Sequence, residues 1–412
     1  MRRPSGASPT QKSAGPGRGG RELCGAVTAL IVLWTATANA QANANVPVGA
    51  ELLLKARPVE GLLILHSGYR NSPLVEADVL AFMDVTRADV GGDVLSANIG
   101  VREPHGYGQL RLGRFILSTG AVRPVQLDGL SILARAPFGS TLEAFAGMPV
   151  APDFGPRAFD WLVGARAAQR LHDTLAFGVS YLQRRDAGML ATEEVGGDVT
   201  LRPSAWLNIN ALAAWDLLTQ GLAEARITGY AHSEAIELEL FGSRRIAARL
   251  LPATSLFSVI SDAPSTEAGA NANWHAFPRL DLGSTLAFEA LEHTAGYRAA
   301  LRSTLRFSDD GPGEVTVEAV RRDLSDDGYS GAALYLSVPV TDALRPHASV
   351  ELAAPDHPRG RGELWPWARV GASYAFGGAW LLAAALSARS TPLVSSELSG
   401  LVRIAYNGWV QP

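Results

Sequence analysis

The chain has 412 residues, a net charge of −4, 47% hydrophobic residues and 18% charged ones. That length suits one large barrel or two or three ordinary domains. Beyond the N-terminus no run is apolar for the roughly 18 residues a membrane helix needs, and nothing in the charge pattern points to nucleic acid.

Residues 1–40 read as an export signal. Arg18 and Arg21 precede an apolar run from Cys24 to Trp34, and Ala38-Asn39-Ala40 is a small-residue cleavage motif. Cleavage is expected after Ala40, with Ala44 as second choice. The competing reading is a single N-terminal anchor helix. Cys24 is the one cysteine of the chain, so the remainder can form neither a disulfide nor a thiolate metal site. Residues 1–40 hold five basic side chains and one acid, which leaves −8 on the rest. Only Lys12 and Lys55 are lysines, a bias that genomic GC content alone can produce.

Residues 41–73 admit two readings. They are a periplasmic leader, or Glu51–Ala56 and Gly61–His66 form a hairpin around Arg57-Pro58-Val59-Glu60. From residue 74 to 409 a period of two persists. It predicts strands near 74–86, 92–101, 107–117, 126–136, 139–147, 160–170, 174–185, 190–202, 205–217 and 221–231. Ten more follow near 234–247, 265–276, 279–290, 296–307, 313–322, 329–340, 344–353, 365–376, 379–389 and 396–408.

The stretch 222–241 shows the pattern best. With a two-residue turn at His232-Ser233, Ala225, Ile227, Leu238 and Leu240 share an apolar face. Arg226 then lies opposite Glu239, and Thr228 opposite Glu237, on a polar one. Such a hairpin fits a soluble sandwich if the apolar face meets a core. Repeated along the chain it fits a barrel with lipid outside and water inside. Arg114, Val320 and Arg321 break the alternation and predict bulges or interface positions.

Connection lengths favour the barrel. Short turns (Leu171-His172-Asp173, Pro203-Ser204, His232-Ser233, Phe277-Pro278, Gly377-Gly378) alternate with long connections at 118–125, 148–159, 248–264 and 354–364. Trp161, Trp206, Trp215, Trp274, Trp365, Trp367, Trp380 and Trp409 fall near strand ends, where aromatic girdles lie. The fold expected is all-β: a transmembrane antiparallel up-and-down barrel of about 18–20 strands, within a range of 16–22.

In this architecture the chain resembles bacterial outer-membrane β-barrels of the porin type. Locally LRLGRFILSTGAVRPVQLDGLSILARAPFGSTLEAFAGMPV, residues 110–150, is similar to porin-like stretches in which a Gly-Arg strand, a loop and an Asp-Gly strand follow one another. The resemblance implies an integral outer-membrane protein, exported by its signal peptide. Its partners would be outer-membrane lipid, the barrel-assembly machinery, small hydrophilic solutes or ions, and in some cases further copies of itself. Such barrels usually end on an aromatic residue. This chain ends Trp409-Val410-Gln411-Pro412, so Trp409 serves that role or assembly uses another signal.

The expected pore lining combines both signs of charge. Arg298, Arg302 and Arg306 share a face on one strand, and Glu314 and Glu318 on the next. Pairing with residue numbers that sum to 620 sets Arg306 opposite Glu314 and Arg302 opposite Glu318. Arg226, Glu237, Glu239, Asp281 and Glu289 join this lining. Charged rows select ions and orient polar solutes; the plainer reading is that they neutralise each other and stiffen the wall. The loop 248–264 is apolar without a period. Leu250, Leu251, Leu256, Phe257 and Ile260 could fold inward as a constriction, extend two strands, or meet a partner. Two acidic turns, 308–311 and 325–328, lack calcium-loop spacing and fit ordinary turn chemistry. No HExxH, GxSxG, GxxxxGK or dinucleotide turn is present. The expectation is a passive diffusion channel with no cofactor and no enzymatic activity. The alternatives are a non-conducting structural or docking barrel, or a polysaccharide exporter.

Overall fold

The computed structural model describes residues 46–410 apart from 57–58, 70–71, 73, 87–89, 151–159, 247–264, 292–293, 309–310, 312, 325–327, 358–362 and 391–395. The strands are β1 (Val46–Lys55), β2 (Glu60–Tyr69), β3 (Val75–Val85), β4 (Val90–Arg102), β5 (Gly108–Leu117), β6 (Val125–Arg135), β7 (Ser140–Pro149) and β8 (Trp161–Leu171). They continue with β9 (Leu175–Asp186), β10 (Met189–Ser204), β11 (Leu207–Asp216), β12 (Gly221–His232), β13 (Ile236–Arg245), β14 (Ser265–Phe277) and β15 (Leu280–Leu291). The last are β16 (Thr294–Arg306), β17 (Glu314–Leu324), β18 (Tyr329–Ser337), β19 (Leu344–Pro355), β20 (Trp365–Phe376), β21 (Trp380–Arg389) and β22 (Glu397–Val410).

Each strand pairs antiparallel with its neighbours in sequence. β22 returns to β1, with Val46 opposite Val410 and Lys55 opposite Leu401. The 22-stranded sheet is therefore a closed barrel, which leaves no sheet edge open. At a spacing near 4.8 Å and a tilt near 40°, 22 strands enclose a lumen roughly 40 Å across between backbones. Arg403 donates to Glu51 at 2.9 Å across the closing seam.

The strand number lies at the top of the expected range, because the barrel begins at Val46 and not at residue 74. The hairpin β1–β2 fills the stretch that admitted two readings. Its pattern is masked by apolar residues on both faces: Leu52-Leu53-Leu54 and Leu62-Leu63-Ile64-Leu65 alternate in no polarity. Residues 1–40, with the expected export signal, lie outside the described residues.

Both ends of the paired chain, Val46 and Val410, sit at one rim. The turns there include 172–174, 205–206, 233–235, 278–279 and 377–379, and the ends of β7, β13 and β19, after which the longest connections leave, are at the other. The segregation is imperfect, since 307–313 and 338–343 are longer connections at the short-turn rim. Where turns are tight, the backbone is chosen to suit. Ala187 and Gly188 between β9 and β10 have φ of 52° and 81°, the two positive values that match hairpin twist.

The pleat sorts the side chains. On the convex side Leu112, Val179, Ile227, Leu286, Leu301 and Val370 are each at least 55% exposed. An apolar band on this scale around a whole circumference is unstable in water and stable in lipid. On β16 the outer-row Tyr297 and the next residue past the strand, Phe307, mark the two rims. Ten residues at about 3.3 Å, tilted about 45°, span roughly 23 Å, close to the height of a bilayer's apolar band. At the short-turn rim Tyr374, Phe376, Trp380 and Tyr406 form a continuous aromatic row, with centroids 5.9, 6.2 and 4.8 Å apart.

The hairpin at 222–241 corrects one expected register. β12 and β13 pair with numbers that sum to 469, so that Arg226 faces Ser243 and Tyr230 faces Glu239. A two-residue turn at His232-Ser233 would need positive φ at both residues, for which neither is suited. Instead Ser233 Oγ accepts from the Ile236 amide at 3.0 Å and its own amide donates to the Ile236 carbonyl. The shift is even, so the faces survive unchanged.

Gly113 in β5 has φ of +124°, and a Cβ there would lie 2.2 Å from the Ala97 carbonyl oxygen. Gly113→Ala is expected to cost about 1–3 kcal/mol, read as an earlier unfolding midpoint of the refolded barrel in urea.

Candidate functional site: the lumen wall and an inward loop

The expected pairing of β16 with β17 is present: Arg302 faces Glu318 and Arg306 faces Glu314 in a register that sums to 620. The ion pairs, however, run to the other side. Arg306 bonds Asp281, which also bonds His275 Nδ1 at 2.7 Å. Arg298 lies 2.7 Å from Glu267 and 3.0 Å from Glu289, and Arg322 donates to Glu289 at 2.7 Å. Arg298 and Arg322 are directly opposite each other, and Glu289 between them relieves the repulsion. Long arginines reach diagonal partners across a sheet as readily as opposite ones, and β15 supplies acids at those diagonals.

The remaining expected residues sit on the same inner rows. Arg226 pairs with Glu224 on its own strand at 2.9 Å. Glu239 accepts from Asn271 at 2.8 Å. Glu237 lies 4.0 Å from His275. Arg302, Glu314 and Glu318 make no ion pair among the described residues. Two charge clusters result. Glu267, Glu289, Arg298 and Arg322 lie near the long-loop rim; Glu237, His275, Asp281 and Arg306 lie near the short-turn rim. Arg302 stands between them.

Loop 248–264, expected as a constriction through Leu250, Leu251, Leu256, Phe257 and Ile260, lies outside the described residues. An inward segment does exist elsewhere. Residues 118–124, between β5 and β6, pack against the inner faces of β7–β10. The Arg123 guanidinium is ion-paired with Glu194, Nε donating at 2.6 Å, and Arg123 N–H donates to the same carboxylate at 3.2 Å. Arg123 is 8% and Glu194 0% exposed. The Ala121 amide donates to Ser180 Oγ at 3.2 Å, and Thr119 Oγ1 bonds Glu143. Phe115, Leu117, Val122, Val125, Leu127, Phe145, Leu162 and Leu182 form an apolar cluster under this loop.

By sequence 118–125 reads only as one of the long connections, with no sign that it turns inward. A signal was present in β10. There Glu194, Gly196 and Asp198 alternate inward, and a Cβ on Gly196 would meet Ala121 at 2.7 Å. A glycine flanked by acids on a lumen row leaves room for another chain segment.

One of the expected bulges is present and the others are not. Leu95 of β4, beside Arg114, drops out of the β3–β4 ladder, and the β4–β5 ladder ends at Ala97 opposite Arg114. The register is continuous at Arg114 in β5–β6 and through Val320 and Arg321 in β17. Arg114 donates to Asp128 at 2.7 and 2.8 Å and to Asp93 at 2.9 Å. Arg321 donates to Asp356 at 2.6 and 2.8 Å. Both lie on outer rows near the long-loop rim, where the interface tolerates charge. Asp356, just past β19, is held below the usual carboxylate range by its hydrogen bonds from Arg321. A carboxyl depressed on folding stabilises the fold above its unfolded pKa and loses that contribution as pH falls through the lower folded value. The rim contact is expected to hold at about pH 4 and to open in stronger acid. Hydrogen exchange at the β17–β19 rim checks this, with Asp356→Asn losing the acid step.

The tryptophans divide. Trp161, Trp215, Trp274 and Trp380 lie on outer rows, as girdle residues should, and Trp206 is exposed in the β10–β11 turn. Trp365 and Trp367 do not belong to a girdle: they alternate with outward Pro366, Ala368 and Val370 and so face the lumen. Trp409 lies in β22 opposite Pro47.

No protein-family model matches the sequence, and no curated protein sequence matches it. Solved structures do. The ferric enterobactin receptor PfeA is similar over 89% of this chain and 82% of its own, at 9% identity and a TM-score of 0.57. The siderophore receptor PirA from Pseudomonas aeruginosa is similar over 89% and 80%, at 8% identity and a TM-score of 0.53. OccAB2 of Acinetobacter baumannii is similar over 89% and 98%, at 11% identity and a TM-score of 0.45. The fold is that of a bacterial outer-membrane β-barrel. Closure, the apolar outer band and the aromatic rims of this barrel agree with that setting. At such identities the similarity is one of fold.

Proposed function

We propose that this barrel is an outer-membrane channel for passive diffusion of small hydrophilic solutes. The observation that carries the reading is the inner wall of β12–β17, where charges of both signs stand in clusters at two heights. A water-filled lumen keeps such groups hydrated, and rows of opposite charge orient polar solutes in passage. Solutes would enter at the long-loop rim, pass loop 118–124 and the charged wall, and leave at the short-turn rim. The reading is of a transport protein and not an enzyme, exported with cleavage after Ala40.

A second reading is favoured by the strand number. Barrels of 22 strands in outer membranes include transporters with a plugged lumen, and PfeA and PirA are named as receptors. Single-channel recording in a planar bilayer separates the two. Stepwise conductance by the refolded chain alone, with a measurable reversal potential in a salt gradient, is the expected result. Inserted, folded barrel without current would remove the passive-channel reading.

A further inference from the structure

We propose that the inner face of β18–β20 is a binding groove for a neutral saccharide, a substrate class that deepens the channel reading and rests on it. The register builds the groove in layers. Gly331, Ala353 and Trp365 lie side by side in one layer. The next layer toward the short-turn rim holds Ala333, Glu351 and Trp367. Small residues on β18 and the adjacent β19 position form the floor, and the two indoles form one wall of a cavity of about 400 Å³. That volume lies in the range of small-molecule sites.

The indoles are the anomaly. On the outer rows tryptophan meets the membrane interface, but here two of them face a polar lumen, where exposed aromatic area is costly in water. The groove's rim is polar. Tyr335 Oη donates to Glu351 at 3.1 Å, and Glu318 also lines the cavity. The Arg369 guanidinium lies 4.8 Å from the centre of the Trp367 ring, which orients that indole. Arg389 also lines the cavity and adds guanidinium donors to its rim.

This combination matches a pyranose ring. A sugar offers a flat C–H face that packs on an indole and a rim of hydroxyls that both donate and accept. Carboxylates accept from those hydroxyls, and guanidinium groups donate to them. A neutral solute can use both signs of charge, whereas an ion would be drawn to one and repelled by the other.

The test uses refolded wild-type protein in detergent, titrated with maltotriose and followed by tryptophan fluorescence and calorimetry. Saturable binding is expected, with sorbitol, a polyol without a ring face, not binding. Trp365→Ala with Trp367→Ala should weaken binding by about tenfold or more, while Trp274→Ala on the outer row leaves it unchanged. Should the double variant fail to fold, Tyr335→Phe, which keeps the ring and removes the hydroxyl, is expected to weaken binding severalfold. Absent binding by wild type, equal binding of sorbitol, or full affinity in the folded groove variants would overturn the proposal. Conductance without sugar binding would sink the groove and leave the channel standing. Sugar binding without conductance would do the reverse.

Discussion

Replacing Glu194 with alanine is expected to release loop 118–124 from the wall and raise the single-channel conductance. Glu194 is wholly buried and takes hydrogen bonds from both the side chain and the backbone of Arg123. Deleting one partner of a buried pair strands the other charge, at a cost of about 3–5 kcal/mol. That cost falls on the docked loop and not on the barrel, because the ladders on either side of Glu194 use its backbone and not its carboxylate. The loop can escape it by swinging its arginine into the water of the lumen. The variant should therefore insert normally, conduct more, and show noisier open-channel current. A double change, Arg123→Met with Glu194→Leu, removes both charges and keeps apolar volume. It is expected to hold the loop near the wall and to restore conductance toward wild type. Equal conductance in all three proteins would place the loop outside the conduction path.

The second large effect is on ion selectivity. Changing Arg298, Arg302 and Arg306 to alanine removes three positive charges from one lumen strand. It uncovers Glu267 at one rim and takes Asp281's arginine at the other, while Glu289 keeps Arg322 alone. Preference should move toward cations, by a factor of about two or more in 0.01 M salt. The lumen is some 40 Å wide, so the effect depends on screening. The Debye length is about 30 Å at 0.01 M and about 3 Å at 1 M, and the shift should fade at high salt. Arg302 alone is the informative single variant, because it has no ion pair among the described residues and its removal strands no carboxylate. Reversal potentials in a salt gradient read all of this; no shift in dilute salt would put these arginines outside the ion path.

The β16–β17 ladder shows what could be read in advance. Its strands, its register and its inward rows all follow from a period of two over twenty residues, together with a turn of turn-forming residues. The ion pairs did not follow, because a long arginine chooses among acids on both neighbouring strands and the diagonal geometry decides. At β12–β13 the faces were legible and the register was not: the turn lengthened to avoid positive φ at His232 and Ser233, and a shift of even size leaves faces intact. Trp365 and Trp367 were legible as lying near a strand end, but only the parity of β20 assigns them to the lumen.

The sequence by itself determined an antiparallel β architecture whose strands carry an apolar row and a charged row, since alternation is local and most strands carry their own; closure waited for β1, which pairs with β22. Tertiary structure decided the number of strands, for β1 and β2 show no alternation and are defined by what they pair with. It also decided the inward loop. Arg123 meets Glu194 across 71 residues and Ala121 meets Ser180 across 59. No local pattern encodes such a contact; it exists because curvature brings β7–β10 within reach of the loop and burial makes the pairing of the two charges obligatory.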